Sequence, residues 1–154
     1  MKKQSAGILL FRFRGKTVEV FLVHPGGPFW KNKDAGAWSI PKGEYEETED
    51  PLSAAMREFK EETGHAVKGS FLPLTSIKQK SGKWVHAWAL EGELDETKVQ
   101  SNSFEMEWPP RSGKQQAFPE VDKAAWFSLP EAKEKINPAQ AGLLNELENL
   151  LQER

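Results

Sequence analysis

Between Asp50 and Gly64 the sequence carries both punctuation marks of a helix, and this segment constrains the fold more than any other. Asp50 is a natural N-cap, Pro51 suits the first helical position because its missing N–H is not needed there, and Gly64 sits where a left-handed C′ residue ends a helix. A helix over about residues 51–63 follows. On a wheel of about 100° per residue, Leu52, Ala55, Met56 and Phe59 share one direction, so that face must be buried. Glu58, Glu61 and Glu62 fall on the other side. Three carboxylates at i, i+3 and i+4 repel by roughly 0.2–0.5 kcal/mol per close pair. Their position near the helix C-terminus, where the macrodipole favours cations, costs roughly a further 0.3–1 kcal/mol per charge. A bound divalent cation reverses both penalties, and hard carboxylate oxygens suit Mg²⁺ or Mn²⁺, which keep positions open for water and phosphate. For a Glu-rich helix taken alone, a solvated acidic face partly neutralised by Arg57 and Lys60 is the competing reading, and spacing does not separate the two.

Around this helix the chain reads as mixed α and β. Residues 6–13 and 18–24 are short aliphatic runs separated by Arg14-Gly15-Lys16, a hairpin signal. Pro25-Gly26-Gly27-Pro28 opens a loop with Phe29, Trp30, Lys31, Lys33 and Asp34, a candidate substrate rim, which ends in a short strand at Trp38-Ser39-Ile40. Strands are expected over 70–79 and 83–90, the second with Trp84, His86, Trp88 and Leu90 on one face, and over 123–128. Asn137-Pro138 starts a last helix, in which Leu143, Leu144, Leu147, Leu150 and Leu151 form an apolar stripe. Residues 101–118, including Trp108-Pro109-Pro110-Arg111-Ser112-Gly113-Lys114, read as a long irregular connection.

Composition narrows the function classes. With 154 residues the chain fits one domain, residues 1–154. Lys and Arg number 21 against 23 Asp and Glu, so no basic field exists to hold a nucleic-acid polymer by counterion release. Cysteine is absent, which removes disulfides, thiolate metal sites and a Cys nucleophile. After Met1-Lys2-Lys3, the apolar run from Ala6 is broken by Arg12 and Arg14 before it reaches signal or spanning length, so no membrane partner and a cytoplasmic protein are expected.

The constellation Gly43, Glu49 and Arg57-Glu58-Phe59-Lys60-Glu61-Glu62-Thr63-Gly64 resembles the box of the Nudix hydrolase family. At residue frequencies of roughly 5–10%, its seven fixed identities coincide by chance on the order of once in 10⁸ starting positions. The likeness extends to Trp38-Ser39-Ile40-Pro41-Lys42-Gly43 and, more loosely, to residues 6–13 and 120–127; it departs at His65, where the family has an apolar residue. What the resemblance implies is an α/β/α sandwich with a mixed central sheet, and Mg²⁺ (or Mn²⁺) bound by Glu58, Glu61 and Glu62 with the carbonyl of Lys42 or Gly43. Glu49 would sit near the metals, and Arg57 would orient a box carboxylate. Water would attack a phosphorus of a diphosphate. Its proton would pass to Glu58 or to an acid outside the box, with Glu120 matching best and Glu105 and Glu107 behind it.

Specificity is expected from the surrounding loops. Phe29, Trp30, Trp84, Trp88 and Trp108 are the aromatic groups able to stack on a base, although any one of them is more often core. Trp108 is the preferred exception, with Arg111 and Lys114 beside it for outer phosphates, and Lys42 is a further candidate for substrate binding. His24, His65 and His86 show no metal spacing and receive no chemistry. The expected partner is a small nucleotide-like molecule. Residues 38–43 resemble members acting on dinucleoside or diphosphoinositol polyphosphates, while oxidised nucleoside triphosphates and ADP-ribose are rivals. A ligand sensor without turnover is the alternative from another class, disfavoured because every box acid is present. Action on RNA ends is disfavoured by the near-neutral charge.

Overall fold

The computed structural model describes residues 4–152; Met1, Lys2 and Lys3 of the N-terminal segment and the last two residues lie outside them. Two long strands form the centre, β1 (Gln4–Arg14) and β2 (Thr17–Pro25), joined by a two-residue turn at Gly15-Lys16. Their apolar runs are continuous rather than alternating because both faces are covered. Leu9, Phe11, Val20 and Leu22 point into one core cluster, and Ile8, Leu10, Phe21 and Val23 into another. On the second side lies α1 (Pro51–Thr63), which places Ala54, Ala55 and Phe59 in the core; Leu52 and Met56, expected on the same face, are half-buried. Truncating an aromatic side chain as deeply buried as Phe59 costs roughly 3–5 kcal/mol. The first side is closed by α2 (Leu129–Lys135) and α3 (Ala141–Gln152), whose Leu143, Leu144 and Leu147 are fully buried. The expected α/β/α sandwich is therefore present.

The sheet is mixed. Strand β6 (Trp84–Glu91) runs parallel to β1 along one edge, while β2 and β3 (Lys42–Tyr45) share the other edge, both antiparallel. Strand β9 (Val121–Ser128) pairs with β2, and the two-residue strands β4 (Leu72–Pro73) and β5 (Ile77–Lys78) pair with β6. In β6, Ala87 and Ala89 face the α3 side, and Trp88 and Leu90 the α1 side.

Several elements differ from the sequence reading. Residues 38–40 form two isolated bridges, Ser39 to Val23 and Trp38 to Ile136, because the chain here crosses from β2 to β1 and pairs briefly on the way to β3. The strand expected over 70–79 is only β4 and β5, on a sheet edge where Pro73 has no N–H to give. Residues 101–118 are not irregular. They contain a hairpin, β7 (Ser103–Glu107) paired with β8 (Gln115–Pro119), with Phe104 against Phe118 across it. Helix α2, capped by Ser128 and opened by Pro130, lies outside the helices expected from the sequence. Among the described residues no helix is long and apolar enough to cross a membrane.

Candidate active site

Helix α1 is fixed at both ends. The Asp50 carboxylate accepts from the Ser53 N–H at 3.0 Å, and Gly64, at φ +80°, donates its N–H to the Lys60 carbonyl at 2.7 Å. A side chain on Gly64 would be strained by that φ and would meet the Gln100 carbonyl at 2.8 Å. Helix-end carbonyls without an intrahelical partner are used by the next segment: Gln100 N–H donates to Thr63 O and Asn102 N–H to Glu61 O, each at 2.9 Å. From there a relay continues, Glu120 N–H to Asn102 O at 2.8 Å and Gly26 N–H to Glu120 O at 3.0 Å. Four main-chain bonds thus tie α1, the base of the β7–β8 hairpin and the loop after β2 into one unit, and they bring Glu120 beside the helix.

Helix α1, strand β3 and the base of the β7–β8 hairpin form a cavity of about 440 Å³ lined by Lys42, Gly43, Glu44, Glu58, Glu61, Glu62, Asn102 and Glu120. One cation organises part of it. Arg57 grips Glu49 with two parallel bonds of 2.9 Å, and its Nη1 also donates to Glu58 at 2.8 Å and to Glu61 at 3.1 and 3.2 Å. Glu62 accepts the Lys42 backbone N–H at 3.2 Å. Burial pushes the Glu62 carboxyl up to about 8, against the pull of Lys42. Glu58 is raised by burial, with Arg57 opposing and Glu61 adding repulsion. Burial and then Glu61 raise Glu120, while burial lowers the Lys42 ammonium. Removal from water is thus the main reason these carboxyls hold their protons more tightly than usual, and Arg57 and Lys42 offset it only in part.

The donor set fits a divalent cation. Every side-chain donor is a hard oxygen, the kind Mg²⁺ and Mn²⁺ take. Gly43 supplies the cradle: a Cβ there would lie 1.9 Å from Glu58 Oε2, so only a glycine lets that carboxylate press against the main chain of β3. Among the described residues no three His, Cys, Asp or Glu side chains stand close enough to hold an ion as they are, and Glu58 and Glu61 are turned to Arg57 instead. The histidines are occupied elsewhere. His24 is fully buried between Asp122 (2.8 Å) and the Lys33 carbonyl (2.6 Å), His86 lies between Ser76 and Gln4, and His65 meets the Lys98 carbonyl.

Of the residues singled out from the sequence, Lys42, Gly43, Glu58, Glu61, Glu62 and Glu120 come together around this cavity, with Arg57 and Glu49 at its side. Trp108, Arg111 and Lys114 do not line it. They stand at the tip of the β7–β8 hairpin, because strand pairing carries residues 108–114 away from the base where Asn102 and Glu120 sit. Glu107 is committed to building that tip, accepting the N–H groups of Arg111 at 2.9 Å and Gly113 at 3.2 Å. Trp88 packs against the core cluster under α1 and Trp84 is half-buried in the sheet. Asn102 and Glu44 line the cavity without having been singled out. Glu44 follows Gly43 directly in β3, whereas nothing local marks Asn102, which arrives only through its bond to Glu61.

The NUDIX domain family matches residues 1–147. An octanoyltransferase of Myxococcus xanthus is 29% identical over 133 residues, and Nudix hydrolase 25 of Arabidopsis thaliana is 66% identical over 29 residues. These alignments take in 86% and 19% of this chain, and span only 33% and 17% of the relatives' own lengths. Among solved structures, a binary complex of the C. elegans Ap4A hydrolase superposes with a TM-score of 0.67 at 23% identity, covering 99% of each chain. The NUDIX domain of Shewanella oneidensis NrtR, complexed with ADP ribose, gives 0.68 at 16% identity over 98% of this chain and 89% of that one. Those likenesses extend the shared fold across nearly the whole chain, and together with the family match they show that this chain belongs to the Nudix family.

Proposed function

We propose that the chain is a divalent-metal-dependent hydrolase that cuts a phosphoanhydride bond in a small, nucleoside-diphosphate-linked molecule. The observation that carries the reading is the cavity in which Glu58, Glu61, Glu62 and Glu120 meet beside a glycine that no larger residue can replace without moving Glu58. Glu58, Glu61 and Glu62, with a carbonyl of Lys42 or Gly43, would hold Mg²⁺ or Mn²⁺. The ion, when bound, supplies charge neutralisation to the diphosphate oxygens and lowers the pKa of water.

The protein's own groups do the rest. Arg57, itself fixed by Glu49, holds Glu58 and Glu61 at the side of the cavity, and the two carboxylates would turn from the guanidinium toward the ion when it binds. The Lys42 ammonium, near Glu62, is placed for a phosphate oxygen. Attack by water requires a carboxylate to take its proton. Glu120 is favoured over Glu58 because Arg57 already engages Glu58, whereas the Glu120 side chain makes no hydrogen bond or ion pair among the described residues. Its raised pKa moves it toward the working range of a general base.

Dinucleoside polyphosphates, ADP-ribose and nucleoside triphosphates are the substrates to compare, since structural neighbours include an Ap4A hydrolase, an ADP-ribose complex and MutT proteins. The purified chain, assayed for released phosphate and nucleotide with and without Mg²⁺, should turn over at least one of these only when the ion is present. Tight binding of all three classes with no product in any would replace the hydrolase by a ligand sensor.

A further inference from the structure

His24 is a buried ionisable side chain for which the proposed reaction has no direct use. It is 0% exposed near the end of β2, and both ring nitrogens are bonded to oxygen, Nδ1 to the Asp122 carboxylate at 2.8 Å and Nε2 to the Lys33 carbonyl at 2.6 Å. A carbonyl only accepts, so Nε2 donates to it. Trp38 meets the ring edge to face at 5.2 Å and limits its tilt. The imidazole thus ties β9, through Asp122, to the loop after β2, through Lys33.

Asp122 is the point at which β9 slips on β2. His24 pairs with Lys123 whereas Pro25 pairs with Val121, which leaves Asp122 as the extra residue of a β-bulge. The faces of the strand record the slip. Ala125 and Phe127 lie with one core cluster and Ala124 and Trp126 with the other, so strict alternation would send Val121 to the first, yet it is buried in the second. Residues before the bulge are thereby moved one place along β2. In this register the Glu120 carbonyl accepts the Gly26 N–H at 3.0 Å and the Glu120 N–H reaches Asn102 O at 2.8 Å, beside the cavity that Glu120 lines. Gly26 permits the close approach, because a Cβ there would lie 2.0 Å from the Pro119 carbonyl oxygen.

We propose that His24 is a positioning residue for Glu120: its bond to Asp122 pins the bulge, its bond to Lys33 closes the loop that carries Gly26, and together they hold the Glu120 carboxylate at the cavity wall. The proton-accepting role of Glu120 rests on the hydrolase reading; its placement through His24 does not.

Two variants remove the anchor and one keeps it. His24→Phe retains a ring against Trp38 but loses both bonds. Asp122→Ala cuts the bulge free at a side chain that is 32% exposed, so it carries the test should His24→Phe fail to fold. Asp122→Asn keeps an oxygen facing Nδ1. Amide hydrogen exchange is followed first, in the protein without substrate. At Gly26 and Glu120 it should quicken by roughly tenfold or more in the first two variants and stay within about threefold of the parent in Asp122→Asn, while the Asn102 amide, bonded to Glu61, keeps its protection. Unchanged exchange at Gly26 and Glu120, or equal quickening throughout the chain, overturns the proposal. With a hydrolysed substrate, kcat should fall roughly tenfold or more at unaltered Mn²⁺ affinity, and either substitution added to Glu120→Gln should cost nothing further. Losses that add in full, or that follow Mn²⁺ affinity rather than kcat, overturn it as well. A parent that hydrolyses nothing sinks the hydrolase reading alone, and the exchange result then decides the anchor.

Discussion

Gly43→Ala separates the site from the fold more cleanly than removal of a carboxylate, because it adds one carbon and deletes no chemical group. The new Cβ would lie 1.9 Å from Glu58 Oε2 and 2.1 Å from Glu58 Cδ, where ordinary contact begins at 3.4 Å. Relief requires the Glu58 carboxylate to retreat by roughly 1.5 Å, breaking its 2.8 Å bond from Arg57. The obstacle is the end of a flexible side chain rather than backbone, and Gly43 is not at positive φ, so the fold tolerates the change. Stability should move by no more than about 1 kcal/mol, since losing glycine's unfolded-state freedom offsets part of the crowding. Catalysis should suffer far more. A displacement of this size in a group that must be placed to within about 0.5 Å costs on the order of 10²-fold, or about 2.7 kcal/mol of barrier. The assay pairs kcat/KM on the best substrate with the thermal midpoint of the same preparation. Turnover within twofold of the parent, or a loss of folding that matches the loss of activity, would refute the reasoning.

Two further variants test the surroundings. Arg57→Lys keeps a positive charge but loses the paired bonds to Glu49 and the simultaneous grip on Glu58 and Glu61; turnover should fall about 10–100-fold and the divalent-ion requirement should rise, while the melting temperature barely moves because the side chain is 39% exposed. Metal titrations of activity check this. Asp34 is held below its ordinary range first by Lys135 and then by the Trp38 indole N–H, a contact that ties the loop after β2 to α2. Its folded pKa lies below the unfolded one, so its stabilisation is present above the unfolded carboxylate range and is lost as pH falls through the folded value. Urea midpoints of Asp34→Ala should therefore trail the parent at neutral pH and converge with it in acid; a gap that persists in strong acid would contradict the pairing.

How far the sequence reached depended on whether its signals were local. Helix α1 was legible to the residue, since Asp50, Pro51 and Gly64 each act within a single turn. The doubly covered strands β1 and β2 were legible as apolar runs, and α3 as a stripe of leucines. Where pairing partners lie far apart, the signal thinned. Residues 38–40 look like a strand but serve as a crossing, and the turn residues of 109–113 masked the weak alternation of Phe104, Met106 and Phe118 that makes the hairpin. Spacing showed that Glu58, Glu61 and Glu62 share one face of α1, while their reading as a metal site came from the resemblance carried by residues 43–64. Glu120 was reached only through the family's resemblance, and Asn102 not at all, because both arrive by backbone bonds across the fold.

That Glu58, Glu61 and Glu62 hold a divalent ion, with Glu120 beside it in the same cavity, is the proposal on which the rest depends. It is tested most directly by following the backbone amide resonances while substoichiometric Mn²⁺ is added to the isotope-labelled protein. The account predicts that signals of residues 42–44, 58–62, 102 and 120 broaden first and together, and that Glu61→Gln shifts the effect to higher Mn²⁺. Broadening that begins at other acidic segments, such as Glu46 and Glu47, or that leaves residues 58–62 sharp, would contradict it.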